Sequence, residues 1–196
     1  MADPIKLALI FNTAKKNDKE DSYKLAKLLR LNELPQVYLP SSESDDLRSL
    51  TRYRKTLGEE ITMIKNRVHA LLSRYGIIIG ASDKYVLSDL LTRISELRDR
   101  ESMIEDEISR KCKNRKDTKI LMTIPGINVY SAAVIVSEID DISRFGSKEK
   151  LASYAGLVPR QDQSGNRDIR GHISKHGPSM LRFILVNAAH SVIKYS

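Results

Sequence analysis

The sequence has no tryptophan, three phenylalanines and one cysteine in 196 residues. A single cysteine, Cys112, can close no internal disulfide and cannot build a cysteine-based metal site. It sits among Lys111, Lys113 and Arg115. No apolar run approaches the roughly 18 residues that a membrane-spanning helix needs. The N-terminus lacks a basic stretch leading into an apolar one and lacks a small-residue cleavage site, so the cytosol is the expected compartment, with no membrane partner. No internal repeat and no low-complexity segment occurs. Acidic residues are the scarcer charge, 25 against 33 basic, which leaves a net +8. An excess of this kind favours a polyanionic partner, because each lysine or arginine that neutralises a phosphate releases counterions. The excess is uneven: residues 151–196 carry 6 basic and 2 acidic groups, half of the net charge.

What is present is helical periodicity. Leu50, Leu57, Ile64 and Leu71 recur every seven residues, with Leu47, Ile61 and Val68 interleaved. After a break around Gly76 and Gly80 to Asp83, a second register runs through Leu90, Leu97 and Ile104, with Leu87, Ile94 and Ile108 interleaved. Two such helices predict an antiparallel coiled-coil hairpin over 41–115 with arms about 45 Å long. It divides the chain into residues 1–40, 41–115 and 116–196. The first part holds an apolar segment from Pro4 to Phe11, a helix through Leu25, Leu28 and Leu29, and a proline-bounded extended stretch to Pro40. Ser41, Ser42 or Ser44 can cap the first long helix. The last part predicts two helices around a tight turn within 118–139, a helix from Ser147 to Ala155, a loop from Gly156 to Gly177, and a helix from Ser179 to Tyr195.

Three segments carry residue types suited to phosphate chemistry. The turn Ile124-Pro125-Gly126-Ile127-Asn128 has the form of a helix-hairpin-helix element: the glycine permits the turn, and backbone N–H groups opening the next helix can face a phosphate. An ordinary helix corner reads the same way. Asp18 and Asp21, three apart at a helix start, project from one face and could share a divalent cation, although acids in a first turn also serve as caps and dipole partners. The loop after Pro159 brings Ser164 and Gly165 among Arg160, Arg167, Arg170, His172, Lys175 and His176. A hydroxyl among cations can attack a phosphodiester while guanidinium groups stabilise the charge that builds on it. Ser-Gly alone is a turn signal. His172 and His176, four apart across glycine-containing sequence, make a poor zinc pair.

Taken together these segments resemble the DEDD-type insertion-sequence transposases of the IS-110/IS-116/IS-902 group. The most specific stretches are Leu121 to Ile127 continuing to Ile135, Glu138 to Phe145, Leu151 to Pro159, Ser164-Gly165, Gly171 to Gly177, and Leu181-Arg182 to Ala189. Upstream, Lys16-Asn17-Asp18-Lys19-Glu20-Asp21-Ser22 is similar to the Lys-Thr-Asp-x-x-Asp-Ala element that closes the family's RuvC-like domain. The resemblance implies a mostly α chain: the end of a RuvC-like α/β domain at 1–40, the coiled-coil hairpin at 41–115, and a helical C-terminal transposase domain with the helix-hairpin-helix-like element at 116–196. It implies DNA transposition, with Asp18 and Asp21 as the third and fourth acids of a magnesium site and Ser164 as a nucleophile linked transiently to DNA. Gly126, Ile127, Asn128, Arg160, Arg167, Arg170, Lys175 and Arg182 would contact nucleic acid. It further implies a homo-oligomer, dimer or tetramer, and in some members a structured guide RNA. The first Asp and the Glu of the DEDD set should precede Lys15 by a long stretch, and family members usually continue past Ala189. The expectation is therefore a fragment cut at both ends, inefficient by itself at cleaving DNA. A competing expectation is a non-catalytic module that binds nucleic acid and oligomerises.

Overall fold

The computed structural model describes residues 18–34, 38–75, 80–164 and 167–195, with backbone alone at 18, 74–75, 160–164 and 167–170. The predicted segment Pro4 to Phe11, Lys16, Asn17 and Gly165 lie outside the described residues. Two units divide at Ser41/Ser42. In the first, helix α1 spans Asp18–Arg30 and ends in Lys27 and Arg30, cations that suit a helix C-terminus.

The second unit begins with α2, Ser42–Tyr75, and α3, Ala81–Cys112. They run antiparallel, because early residues of α2 meet late residues of α3: Leu47 clusters with Ile108 and Cys112, whereas Leu57, Ile61 and Ile64 cluster with Leu90, Ile94 and Leu97. The buried positions are those of the seven-residue registers, since only residues three and four apart share a helix face. Across the seam Arg54 donates to Glu105 Oε1 at 2.6 and 2.8 Å and lies 3.2 Å from Glu101. Burial opposes the Arg54 charge, but these carboxylates outweigh it and raise the pKa further.

Helix α4, Lys116–Leu121, and α5, Val129–Ile139, form the predicted pair around the Pro125-Gly126 turn. Every residue of α5 from Ser131 to Ile139 is buried. An all-round apolar helix must be enclosed, and α5 is: Ala133 packs on Leu47, Ile108 and Cys112, while Ala132, Val134, Ile135 and Ile139 join Ala155, Leu181, Ile184 and Ala188. The small side chains of Ala132 and Ala133 allow neighbours close on both sides. The carboxylate of Glu138, 3% exposed, accepts from Arg52 Nη2 at 2.9 Å and lies 3.5 Å from Arg48 Nε. Arg48 also donates to the Ser137 carbonyl, at 2.6 and 3.1 Å, and Ser44 Oγ donates to Asp140 Oδ1 at 2.5 Å. Ser44 thus ties α2 to the end of α5.

A 3-10 turn, Ile142–Arg144, leads to α6, Lys148–Tyr154, whose first turn is capped by Ser147 accepting from the Lys150 N–H. The final helix, α7, spans Ser179–Tyr195 as the periodicity predicts, burying Leu181, Ile184 and Ala188. The chain is mostly helical. The predicted loop over 156–177 is the exception. There the chain forms an antiparallel ribbon of β1, Pro159–Ser164, and β2, Arg167–Ile173. The apolar alternation that normally marks strands is missing from both.

Candidate nucleic-acid interface

Ser164 is the last residue of β1 and pairs with Arg167, the first of β2; inward from them Gln163 pairs with Asp168, Asp162 with Ile169 and Gln161 with Arg170. Between Gln161 and Pro159 the register shifts, and Pro159 meets Ile173. Six strand residues at about 3.4 Å each put Ser164 about 17 Å from the start of the ribbon. Arg160 lies on β1, and Arg167 and Arg170 on β2. The predicted serine and three predicted arginines thus share one narrow, polar two-stranded element, which suits an arm that meets a charged partner rather than a core.

The base of this arm is fastened backbone to backbone. Ser174 N–H donates to the Val158 carbonyl at 2.8 Å, and Lys175 N–H to the Gly156 carbonyl at 3.2 Å. Gly156 and Gly177 have φ of +71° and +85°, and a Cβ on either would fall 2.1 Å from the His176 carbonyl oxygen or 1.9 Å from that of Tyr154. No side chain fits there. From α7, Arg182 Nη1 donates to the carbonyls of Ala155 at 3.1 Å and His176 at 3.4 Å. The Arg182 guanidinium is therefore placed on the base of the arm. Lys175, at φ +56°, is exposed, as are His172 and His176.

The Pro125-Gly126 turn rests on the other end of α7. A Cβ on Gly126 would lie 2.4 Å from Ser191. Arg182 and Ser191 are nine residues apart, about 13 Å along the helix, so α7 spaces the ribbon base from the turn. Ile127 is buried in the core, which leaves only its backbone for a ligand. Asn128 is the N-cap of α5, its side chain accepting from the Ser131 N–H at 2.8 Å. The asparagine thus satisfies one helix-opening N–H internally; those of Val129 and Tyr130 belong to the turn of helix that has no intrahelical acceptor.

Positions 18 and 21 lie one turn apart on α1, and Asp21 is half-buried. Carboxylate oxygens are the donors magnesium takes. Among the described residues no three His, Cys, Asp or Glu side chains converge on a common point. The donor type fits the metal, and the pair would make only part of a coordination set.

Sequence reasoning missed Gly156, Gly177 and the Glu138 carboxylate as structural determinants. Glycines bracketing a polar stretch were the available signal for the first two. Among the described residues no helix is long and apolar enough to cross a membrane.

Two family models match in succession: a DEDD-type transposase model over residues 6–77, and the transposase IS116/IS110/IS902 family model over 118–196. The chain is 28% identical to the transposase for insertion sequence element IS1111A of Coxiella burnetii, over 92% of this chain and 56% of that protein. It is 26% identical to the transposase for insertion sequence element IS1328 of Yersinia enterocolitica, over 89% and 59%. To the pilin gene-inverting protein of Moraxella bovis it is 30% identical, over 86% and 48%. The chain thus spans between about half and three fifths of the length of these relatives. With the first model running through α1 and α2 and the second from α4 through the ribbon to the end of α7, the chain is similar over most of its length to transposases of the IS116/IS110/IS902 family.

Proposed function

We propose that this chain is the serine-bearing part of an enzyme that cuts and rejoins DNA strands, with the ribbon of β1 and β2 as the arm that reaches the scissile phosphate. The observation that carries the reading is the position of Ser164 at the end of β1, opposite Arg167. Ser164 Oγ attacks phosphorus, a new O–P bond forms, and the bond from phosphorus to the leaving sugar oxygen breaks. The serine proton departs with the solvent or the leaving oxygen. Attack by a second strand's hydroxyl on the serine phosphodiester then releases Ser164 and reseals DNA. Arg160, Arg167, Arg170 and Lys175 hold the phosphate and offset its growing negative charge. Arg182 positions the arm.

In this reading residues 1–40 close a RuvC-like domain, 41–115 form a coiled-coil hairpin that joins subunits into a homo-oligomer, and 116–196 form the transposase domain with its helix-hairpin-helix turn at Gly126 to Asn128. Asp18 and Asp21 would hold magnesium together with acids from outside the described residues, and the ion would supply positive charge to the phosphate. A structured guide RNA is a further partner to be tested by co-purification.

The test places the N-terminal segment of the Coxiella burnetii relative ahead of this chain and measures magnesium-dependent cleavage of element-end DNA. Ser164→Ala should abolish cleavage, and Asp21→Asn should weaken it at least 100-fold. Undiminished cleavage with Ser164→Ala would remove the serine from the mechanism. DNA binding without cleavage in the parent chimera would favour the non-catalytic module.

A further inference from the structure

A second basic surface lies away from the ribbon. Residues 110–119 read Arg-Lys-Cys-Lys-Asn-Arg-Lys-Asp-Thr-Lys, six cations and one acid in ten positions. This run spans the junction from α3 to α4, and a groove of about 760 Å3 opens between the two helix ends. Cys112, Thr118 and Val129 line it, with the cations Arg110, Lys113 and Lys119 and one carboxylate, that of Asp106, beside them. Cys112 is 4% exposed and Thr118 1%, whereas Lys113 and Lys119 are exposed.

Several cations of the run are already neutralised. Arg110 pairs with Glu107, Lys111 lies 3.8 Å from Asp46, and Arg115 lies 3.1 Å from Asp117 and 3.9 Å from Glu43. Lys113, Lys116 and Lys119 have no carboxylate within ion-pair distance among the described residues. Helix-dipole complementation accounts for Arg110 and Lys111 in the last turn of α3 and also suits Lys113 at its C-cap. It accounts poorly for lysines on the six-residue α4, whose dipole is small. The groove also adjoins the candidate DNA-contacting turn, because Val129, in its lining, is the first residue of α5 and follows Asn128 directly. Among the described residues no aromatic side chain lines it, so it offers no stacking platform of the kind single strands use.

We infer that this groove is a second DNA contact, in which Lys113 and Lys119 grip the phosphate backbone of duplex DNA continuous with that held at the Gly126 turn. The inference rests on the DNA-processing reading above and adds a surface the ribbon does not supply. Contacts of this kind are sequence-independent and set affinity and register rather than target choice.

The experiment measures binding of the 196-residue chain to a fluorescein-labelled random-sequence duplex by anisotropy from 50 to 300 mM KCl. Three double variants are compared with the parent: Lys113→Gln/Lys119→Gln, the charge-matched control Lys65→Gln/Lys84→Gln on the long helices, and Arg167→Gln/Arg170→Gln on the ribbon. All four control and groove lysines are exposed, and a melting curve for each variant verifies folding. The expected result is a salt slope reduced in magnitude by about 2 for the groove variant, roughly one per lost phosphate contact, and unchanged for the control. A groove variant indistinguishable from the control overturns the inference; if the ribbon variant is weakened in the same experiment, the functional reading survives that loss. A parent chain with no salt-dependent DNA affinity sinks both. With a labelled RNA duplex of the same length as a second probe, a groove variant that loses RNA binding while keeping its DNA affinity also overturns the assignment.

Discussion

Arg182 of α7 donates a hydrogen bond to the Ala155 carbonyl at 3.1 Å, fixing the last helix to the point where the chain leaves α6 for the ribbon. The same nitrogen reaches the His176 carbonyl on the returning side. One cation thus closes both ends of a two-stranded arm.

Replacing it should loosen the arm without unfolding the chain. Arg182→Ala removes charge-assisted bonds to two carbonyls and should cost about 1 to 3 kcal/mol. Limited proteolysis should cut within 159–173 several-fold faster than in the parent, while helical circular dichroism stays within a few per cent.

Gly177→Ala should be more damaging than its size suggests. The new methyl would meet the Tyr154 carbonyl oxygen at a backbone φ of +85°. A cost of about 2 kcal/mol or more is expected, seen as a melting temperature lower by roughly 2 to 4 °C per kcal/mol for a chain of this size. Gly146→Ala is the control, since a Cβ there meets only the far end of the Lys150 side chain at 3.4 Å.

Glu138→Ala should weaken the seat of α5 on α2. It strips the carboxylate from Arg48, whose side chain is 15% exposed, and from Arg52, which is 58% exposed and can recover water. The expected loss is about 2 to 3 kcal/mol, below that for a pair buried on both sides. An Arg52→Ala variant should lose less, because Arg48 remains beside the carboxylate.

The Cys112 thiol is raised above its ordinary pKa, chiefly by burial, against a hydrogen bond from Thr118 and the nearby Arg115 charge. The fold therefore favours the neutral thiol. That contribution is intact below the unfolded-state pKa of about 8.5 and is lost as pH rises through the higher folded-state value. Above about pH 8.5 stability should fall more steeply in the parent than in Cys112→Ala. At pH 7.5 iodoacetamide should label native protein at least tenfold more slowly than urea-unfolded protein.

The long helices were legible because residues such as Leu57, Ile64, Leu90 and Leu97 are spaced for one helical face, a local property of the chain. The helix from Ser179 to Tyr195 followed from the same signal. The ribbon was not legible, because Pro159 to Ser164 and Arg167 to Ile173 pair polar residue with polar residue and leave no apolar alternation. Its anchoring was hidden as well: Gly156 and His176 are twenty positions apart, and only the tertiary fold brings them together. The charge map also needed the fold. A boundary drawn at residue 115 splits the cationic run 110–119, which the turn from α3 to α4 makes into one surface.

Ser164, at the end of the arm, is the proposed nucleophile, its Oγ forming the bond to phosphorus. The most direct measurement traps the reaction of the chimera described above with nicked element-end DNA, digests the denatured adduct, and locates the nucleotide by mass spectrometry. A phosphodiester on Ser164 that is absent from Ser164→Ala is the expected result. A nucleotide attached to another residue, or an equal yield of adduct from Ser164→Ala, would contradict it.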